Sequence, residues 1–273
     1  MDLAAKPQRG RLGWRSLGTL NGPDMREHPD TWLIPARFNG PRTSANGGWA
    51  AGGLAQRLRP GPVSVSLRAP VPLDRPLTVQ PAEPGRWQLL AEGLLLAEAE
   101  PAESWAPELP HLPEAAAAEE AGALARWRSR QRGTAWPYAH CFACGFARED
   151  GLQIIPGPVG DPAAGAVATT WVPPASLADN HGQVLPEATW AALDCSAGIA
   201  WSHRLGSNAP MVTARMTVEL RAPLRVGERL CVVGWPIAQD GRKLHAGTAI
   251  VDDAGQLRAH SRQLWVMPRD AAA

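Results

Sequence analysis

Val63-Ser-Val-Ser-Leu-Arg-Ala-Pro-Val-Pro-Leu-Asp-Arg-Pro-Leu-Thr-Val79 returns 153 residues later, without a gap, as Met216-Thr-Val-Glu-Leu-Arg-Ala-Pro-Leu-Arg-Val-Gly-Glu-Arg-Leu-Cys-Val232. Apolar residues alternate at the start of both copies (Val63, Val65, Leu67 and Met216, Val218, Leu220), so each begins as a strand with one buried face. Pro70 and Pro223 end these strands or sit at an edge, because proline offers a ladder no N–H. The surroundings agree. A helical stretch precedes each copy, at 46–58 and 185–201, and alternating runs follow. In the second half strands are expected at 230–235, 243–251 and 256–267, parted by turns at Gln239-Asp240-Gly241-Arg242 and Asp252-Asp253-Ala254-Gly255. In the first half the runs are 77–83 and 86–100, around Pro84-Gly85. A chain of 273 residues holds two such α+β units of ordinary size. The expected division is an N-terminal unit over 1–105, a linker over 106–134 and a C-terminal unit over 135–273. The linker opens Pro- and acid-rich, and 114–130 has the Ala and Glu content of a helix lying on the surface.

The second helical stretch, Leu185-Pro-Glu-Ala-Thr-Trp-Ala-Ala-Leu-Asp-Cys-Ser-Ala-Gly-Ile-Ala-Trp201, carries the chemistry. At 100° per residue, Leu185, Ala188, Ala192, Cys195 and Ile199 form an apolar stripe. Glu187, Trp190, Ala191, Asp194, Gly198 and Trp201 lie opposite. A solvated face is usually rich in Lys, Glu and Arg. This one has two tryptophans, small residues and two carboxylates a heptad apart, which reads as a second packed surface with an acid buried in it. That environment makes a general base or a nucleophile of Asp194. The plainer alternative is a structural acid salt-bridged at a seam. Glu187, in the first turn, suits the helix dipole or stands as a second carboxylate of the site.

Composition narrows the function classes. With 27 Lys and Arg against 26 Asp and Glu, the net charge is +1, which is not a nucleic-acid footprint. No apolar run approaches the roughly 20 residues of a membrane span. The opening stretch, Met1 to Gly10, lacks the apolar core of a signal peptide, so a cytoplasmic protein is expected. The abundance of Pro and Gly, 27 each, fits a GC-rich bacterial genome and says nothing of function. Cys141, Cys144, Cys195 and Cys231 are too few and too unevenly spread for a disulfide framework. Cys141-Phe-Ala-Cys144 has zinc-knuckle spacing but needs two more ligands, with His181 or His203 as a conceivable third. Buried thiols in a turn are the simpler reading, and Cys195, on the apolar stripe, reads as a core residue. No metal and no organic cofactor is expected.

Three local motifs resemble hotdog-fold acyl-CoA thioesterases, duplicated in one chain as a double hotdog. Asn46-Gly47-Gly48-Trp49-Ala50-Ala51 resembles the opening of their central helix. Ala191-Ala192-Leu193-Asp194-Cys195-Ser196-Ala197-Gly198 resembles the stretch that carries their acid. His140-Cys141-Phe142-Ala143-Cys144-Gly145, followed by Gly151-Leu152, resembles their domain entry. The likeness covers roughly 25–105 and 138–268. It implies an α+β fold of two tandem hotdog units, with a long antiparallel sheet wrapping two central helices. Neither half holds the full set. The first-half position corresponding to Asp194 is about Ala55, and Pro186-Glu187 stands where the second half would need Gly-Gly.

The resemblance therefore implies one combined site. Gly47, Gly48 and Trp49 would supply oxyanion donors from a helix start. Asp194, from the other half, would attack the thioester or activate water, with Glu187 as a second acid. Asn46, Trp190 and Gly198 are candidate substrate-lining residues, and Arg68 and Arg221 are candidates for the CoA moiety. The expected reaction is hydrolysis of an acyl-CoA or acyl-carrier thioester. The alternatives are a non-catalytic acyl-CoA or fatty-acid binder and a hotdog dehydratase or hydratase. No nucleic-acid or membrane partner is expected, and a homo-oligomer, a dimer of double hotdogs, is.

Overall fold

The computed structural model describes residues 30–58 and 60–268. The opening stretch read above for a signal peptide lies outside them. The elements in chain order are β1 (Asp30–Leu33), α1 (Gly47–Ala55), β2 (Val63–Leu67), β3 (Pro76–Pro81), β4 (Trp87–Ala91), β5 (Leu94–Pro101), α2 (Ala115–Arg132), β6 (Gly157–Pro158), β7 (Val167–Trp171), α3 (Pro186–Leu205), β8 (Val212–Leu220), β9 (Leu230–Asp240), β10 (Lys243–Asp252) and β11 (Leu257–Val266). All strands join one 11-stranded sheet in the order β1-β3-β4-β5-β2-β8-β11-β10-β9-β7-β6.

The order reads as two similar halves meeting at β2 and β8. Ser64 pairs with Thr217 across that seam. They are also repeat partners, since 217 − 64 = 153, so a pseudo-two-fold axis passes between them. Thr217 donates to Ser64 Oγ at 3.1 Å on the axis. Ahead of the helices the halves correspond with a shorter offset. The bridges Asn39↔Ala45 and Ala178↔Val184 differ by 178 − 39 = 139 and 184 − 45 = 139. α3 is the longer helix by 20 − 9 = 11 residues, which takes up most of the difference between the two offsets. On the shorter offset Asp194 corresponds to Ala55, and Gly47-Gly48 to Pro186-Glu187.

α1 is poor in intrinsic helix formers, with glycine at 47, 48, 52 and 53. Tertiary packing holds it. A Cβ at Gly48 would stand 2.5 Å from the Trp190 carbonyl oxygen and 2.8 Å from Ala191 Cα, and one at Gly52 would stand 2.8 Å from Glu187 Cα. The glycines let the two helix backbones touch. Asn46 caps α1 by accepting from the Trp49 N–H at 2.9 Å. α3 starts with Pro186 in its first turn and stops at Gly206, whose φ of 59° is left-handed.

The structure corrects four sequence expectations. α3 runs four residues past 201, to Leu205. The single run expected over 86–100 is a hairpin, turned at Glu92 and Gly93, both with positive φ. α2 is not merely a surface helix, because Ala118 and Gly122 are buried and a Cβ at Gly122 would strike Thr169 of β7. Cys195 and Ile199 are not core residues. Both line a cavity left between α2 and α3. The sheet-facing side of α3 is instead Leu193, Ser196, Ala197 and Ala200, all fully buried.

Candidate functional site

α1 and α3 lie against each other so that the start of the first meets the middle of the second. Asp194 sits at that meeting point and is 2 % exposed. Its Oδ2 accepts from the Gly48 N–H at 2.9 Å and from Asn46 Nδ2 at 3.1 Å. Its Oδ1 accepts from Thr213 Oγ1, on β8, at 2.7 Å. Among the described residues no Lys, Arg or His makes an ion pair with Asp194, so the seam salt bridge weighed from sequence is not what holds it. Burial pushes its carboxyl up to about 6, partly offset by the donors Thr213, Gly48 and Asn46.

A cleft of about 260 Å³ opens beside this carboxylate. Its walls include Asn46, Gly47, Leu67, Asp194 and Thr213. A second cavity of about 390 Å³ lies between α2 and α3, and Tyr138, Cys195, Met211 and Trp265 belong to both. Tyr138 donates its hydroxyl to the Met211 carbonyl at 3.2 Å, at the boundary between them. Arg128 and Arg132, exposed on α2, line the larger cavity.

The candidates from sequence divide into two groups. Asn46, Gly47, Gly48 and Asp194 come together, and all but Gly48 line the cleft. The Gly48 N–H is taken by Asp194 and the Trp49 N–H by Asn46, which leaves Gly47 as the helix-start N–H with no protein acceptor among the described residues. The Trp49 ring stacks on Phe38 with centroids 3.5 Å apart, inside the core. Trp190 packs at Gly52, and Glu187 lies seven residues, about 10 Å along the helix, from Asp194. Neither lines the cleft. Gly198 lines the larger cavity with Trp265 close over it, at 2.8 Å from where a Cβ would stand. Arg68 lines the cleft but is paired with Glu98 at 2.9 Å. Arg221 is engaged with Glu219 and the Trp105 carbonyl and lines neither cavity.

Three features were not foreseen. Thr213 is the third donor to the carboxylate. Arg128 and Arg132 come from the helix read as linker. Cys195 meets Cys141 and Cys144, with all three Sγ atoms within 4.8 Å of one another. His181 is exposed in its loop, and His203 sits two turns beyond Cys195 on α3, so neither supplies the third ligand conceived for it.

The reciprocal position is bare. α3 begins with Leu185 in place of the Asn46 cap, with no side-chain cap hydrogen bond. Pro186 has no N–H to offer, and Ala55 stands in place of the acid.

Comparison with known proteins bears on the family and the fold. Residues 188–259, which span Asp194 and Thr213, match the family model described as Thioesterase superfamily. A tesB protein of Mycobacterium avium subspecies paratuberculosis superposes with a TM-score of 0.60 at 12 % identity, covering 90 % of this chain and 95 % of its own. A conserved protein of unknown function with hot dog fold, from Alicyclobacillus acidocaldarius, superposes with a TM-score of 0.56 at 13 % identity, covering 90 % and 95 %. No curated protein matches the sequence. The chain has the hotdog fold, built of α+β elements around one long antiparallel sheet, and its residues 188–259 are similar to the thioesterase superfamily. No helix among the described residues is long and apolar enough to cross a membrane.

Proposed function

We propose that the chain hydrolyses an acyl thioester, with acyl-CoA as the substrate class, at one site per chain. The observation that carries this reading is the Asp194 carboxylate, buried on a cleft wall with no ion pair among the described residues and held from α3 against the start of α1. A carboxyl raised to about 6 is ionised at neutral pH yet basic enough to take a proton from water. In this reading the Gly47 N–H and the positive end of α1 receive the charge developing on the thioester oxygen. Water adds to the carbonyl carbon as Asp194 takes its proton. The tetrahedral intermediate then expels the thiolate, which is protonated as the acid is released. In direct attack, Asp194 would expel the thiolate and become an acyl-aspartyl anhydride, which water then hydrolyses to release the acid and restore the carboxylate. The larger cavity, with Arg128 and Arg132 at its rim, suits the rest of an acyl-CoA. The thioesterase-superfamily match and the hotdog fold support the reaction class.

One observation favours a second reading, an acyl-CoA binder without chemistry: the Gly48 N–H is already occupied by Asp194. A hydratase or dehydratase would call for a histidine beside the acid. The hydrogen-bond partners of Asp194 are Asn46, Gly48 and Thr213. A panel of acyl-CoA thioesters with a thiol-trapping chromophore separates the readings. Hydrolysis releases one thiol per thioester consumed, whereas tight binding with no thiol released would overturn the enzyme reading.

The pH profile follows from the buried acid. The base works ionised, so kcat/KM should rise with pH, reach half its plateau near pH 6 and stay flat through neutrality. A profile that falls over the same interval would mean that the protonated form acts. Thr213→Val removes the donor to Oδ1, which favours the ionised form. The midpoint should then move up by about one pH unit, with a lower plateau.

A further inference from the structure

We propose that Cys141, Cys144 and Cys195 together bind one thiophilic divalent cation, for which Zn2+ is the test ion. Their Sγ atoms lie within 4.8 Å of one another, and Cys141 and Cys195 are 3.8 Å apart. Zinc–sulfur bonds of about 2.3 Å in a tetrahedron put sulfurs about 3.8 Å apart, so one edge of the triangle already has the spacing of a bound ion.

The local backbone fixes two of the three thiols. Cys141 and Cys144 flank a tight turn closed by the Gly145 N–H donating to the Cys141 carbonyl at 2.8 Å. The turn depends on Gly145, where a Cβ would lie 2.4 Å from the Cys141 carbonyl oxygen. Phe142 donates its N–H to the Asn39 carbonyl at 2.7 Å, which docks this loop of the second half onto the loop before α1. Asn46 Nδ2 reaches both Cys141 and Cys195 sulfurs at 3.9 Å while also bonding Asp194.

Charge and access point the same way. The three thiols gather on the walls of two connected cavities, and no Lys, Arg or His forms an ion pair there with the neighbouring Asp194 among the described residues. Binding exchanges three thiol protons for one Zn2+. Cys141 and Cys195 line the smaller cleft, and Cys144 and Cys195 the larger cavity, so an ion can enter from either. A water from these cavities can complete four-coordination. Cys231, buried in a different cluster on β9, takes no part.

The test uses the full chain, freshly reduced and stripped of metal. Zn2+ titrated against a competing chromophoric chelator should show one equivalent bound per chain. Co2+ in its place should develop the intense thiolate-to-cobalt charge-transfer absorption that oxygen and nitrogen ligands do not give. Cys195→Ala and, separately, Cys144→Ala should lose the stoichiometric binding and the charge-transfer band, while Cys231→Ala keeps both. The proposal fails if the reduced wild-type chain takes up no equivalent of Zn2+ and shows no such band with Co2+. It fails equally if Cys195→Ala binds as the wild type does. The wild-type titrations decide the matter even where a variant does not fold.

Discussion

Asp194→Asn should lower thioester hydrolysis by about a thousandfold or more, the scale on which a positioned acid–base group contributes, while leaving the fold at least as stable as the parent at pH 7. Two effects separate here. Asparagine keeps the shape and can still accept from Gly48 and Asn46 through its oxygen, with its amide turned to Thr213 Oγ1. It cannot take a proton from water or attack a carbonyl. The stability effect runs the other way. The folded carboxyl, raised by burial to about 6 from the ordinary aspartate value, holds its proton more tightly than the unfolded one. That contribution is fully present below the unfolded value and is lost as pH rises through about 6. At pH 7 the parent therefore carries a cost of up to about 3 kcal/mol that the asparagine variant avoids. Denaturant melts of both proteins at pH 4 and pH 7 should show the parent losing stability relative to the variant between those values. A variant that is inactive because it is unfolded would fail this comparison at once.

Gly48→Ala should force the two central helices apart. The new Cβ would stand 2.5 Å from the Trp190 carbonyl oxygen, 2.8 Å from Ala191 Cα and 2.8 Å from Asp194 Cβ. Two of these three contacts are with α3 backbone and cannot swing aside, so the helices must part. Overpacking of this kind costs about 1–3 kcal/mol or more. Parting the helices also breaks the Gly48 N–H bond to Asp194, so hydrolysis should fall with stability. Gly47→Ala supplies the contrast. Its Cβ would meet Leu67 Cδ1 at 3.1 Å, Asp194 Oδ2 at 3.3 Å and Thr213 Cβ at 3.4 Å, all side-chain atoms with some room to give. That variant should fold and bind but hydrolyse more slowly, since the methyl enters the cleft. Equal melting temperatures for Gly48→Ala and the parent would show that the helices are not in backbone contact there.

Local pattern carried the larger features of this molecule. The repeat was visible because Leu-Arg-Ala-Pro recurs without a gap, and in the fold its two copies lie side by side as the ladder partners β2 and β8. Asp194 stood out as an acid among tryptophans and small residues, which is the mark of a packed face. What stayed hidden depended on residues far apart in the chain. Cys195 is 54 residues from Cys141, and helical periodicity placed it on an apolar stripe whose lower end turns out to face a cavity. Arg128 and Arg132 lie on a helix whose composition fits a solvated linker, and only its docking on β7 brings them near α3. Thr213 is an ordinary first-strand residue until β8 runs past the middle of α3. The Glu92-Gly93 turn was masked by the leucines on both sides, which read as one continuous strand. The last turn of α3 was missed because His203 and Arg204 are polar, although Gly206 marked its end.

The central claim is a single competent site shared by unequal halves, and a crystal structure of the Asp194→Asn chain soaked with an acyl-CoA from the panel tests it most directly. The expected result is one thioester per chain, its carbonyl oxygen at the Gly47 N–H and its carbonyl carbon facing residue 194. A thioester bound instead at the start of α3, near Pro186 and Ala55, or one at each position, would contradict it.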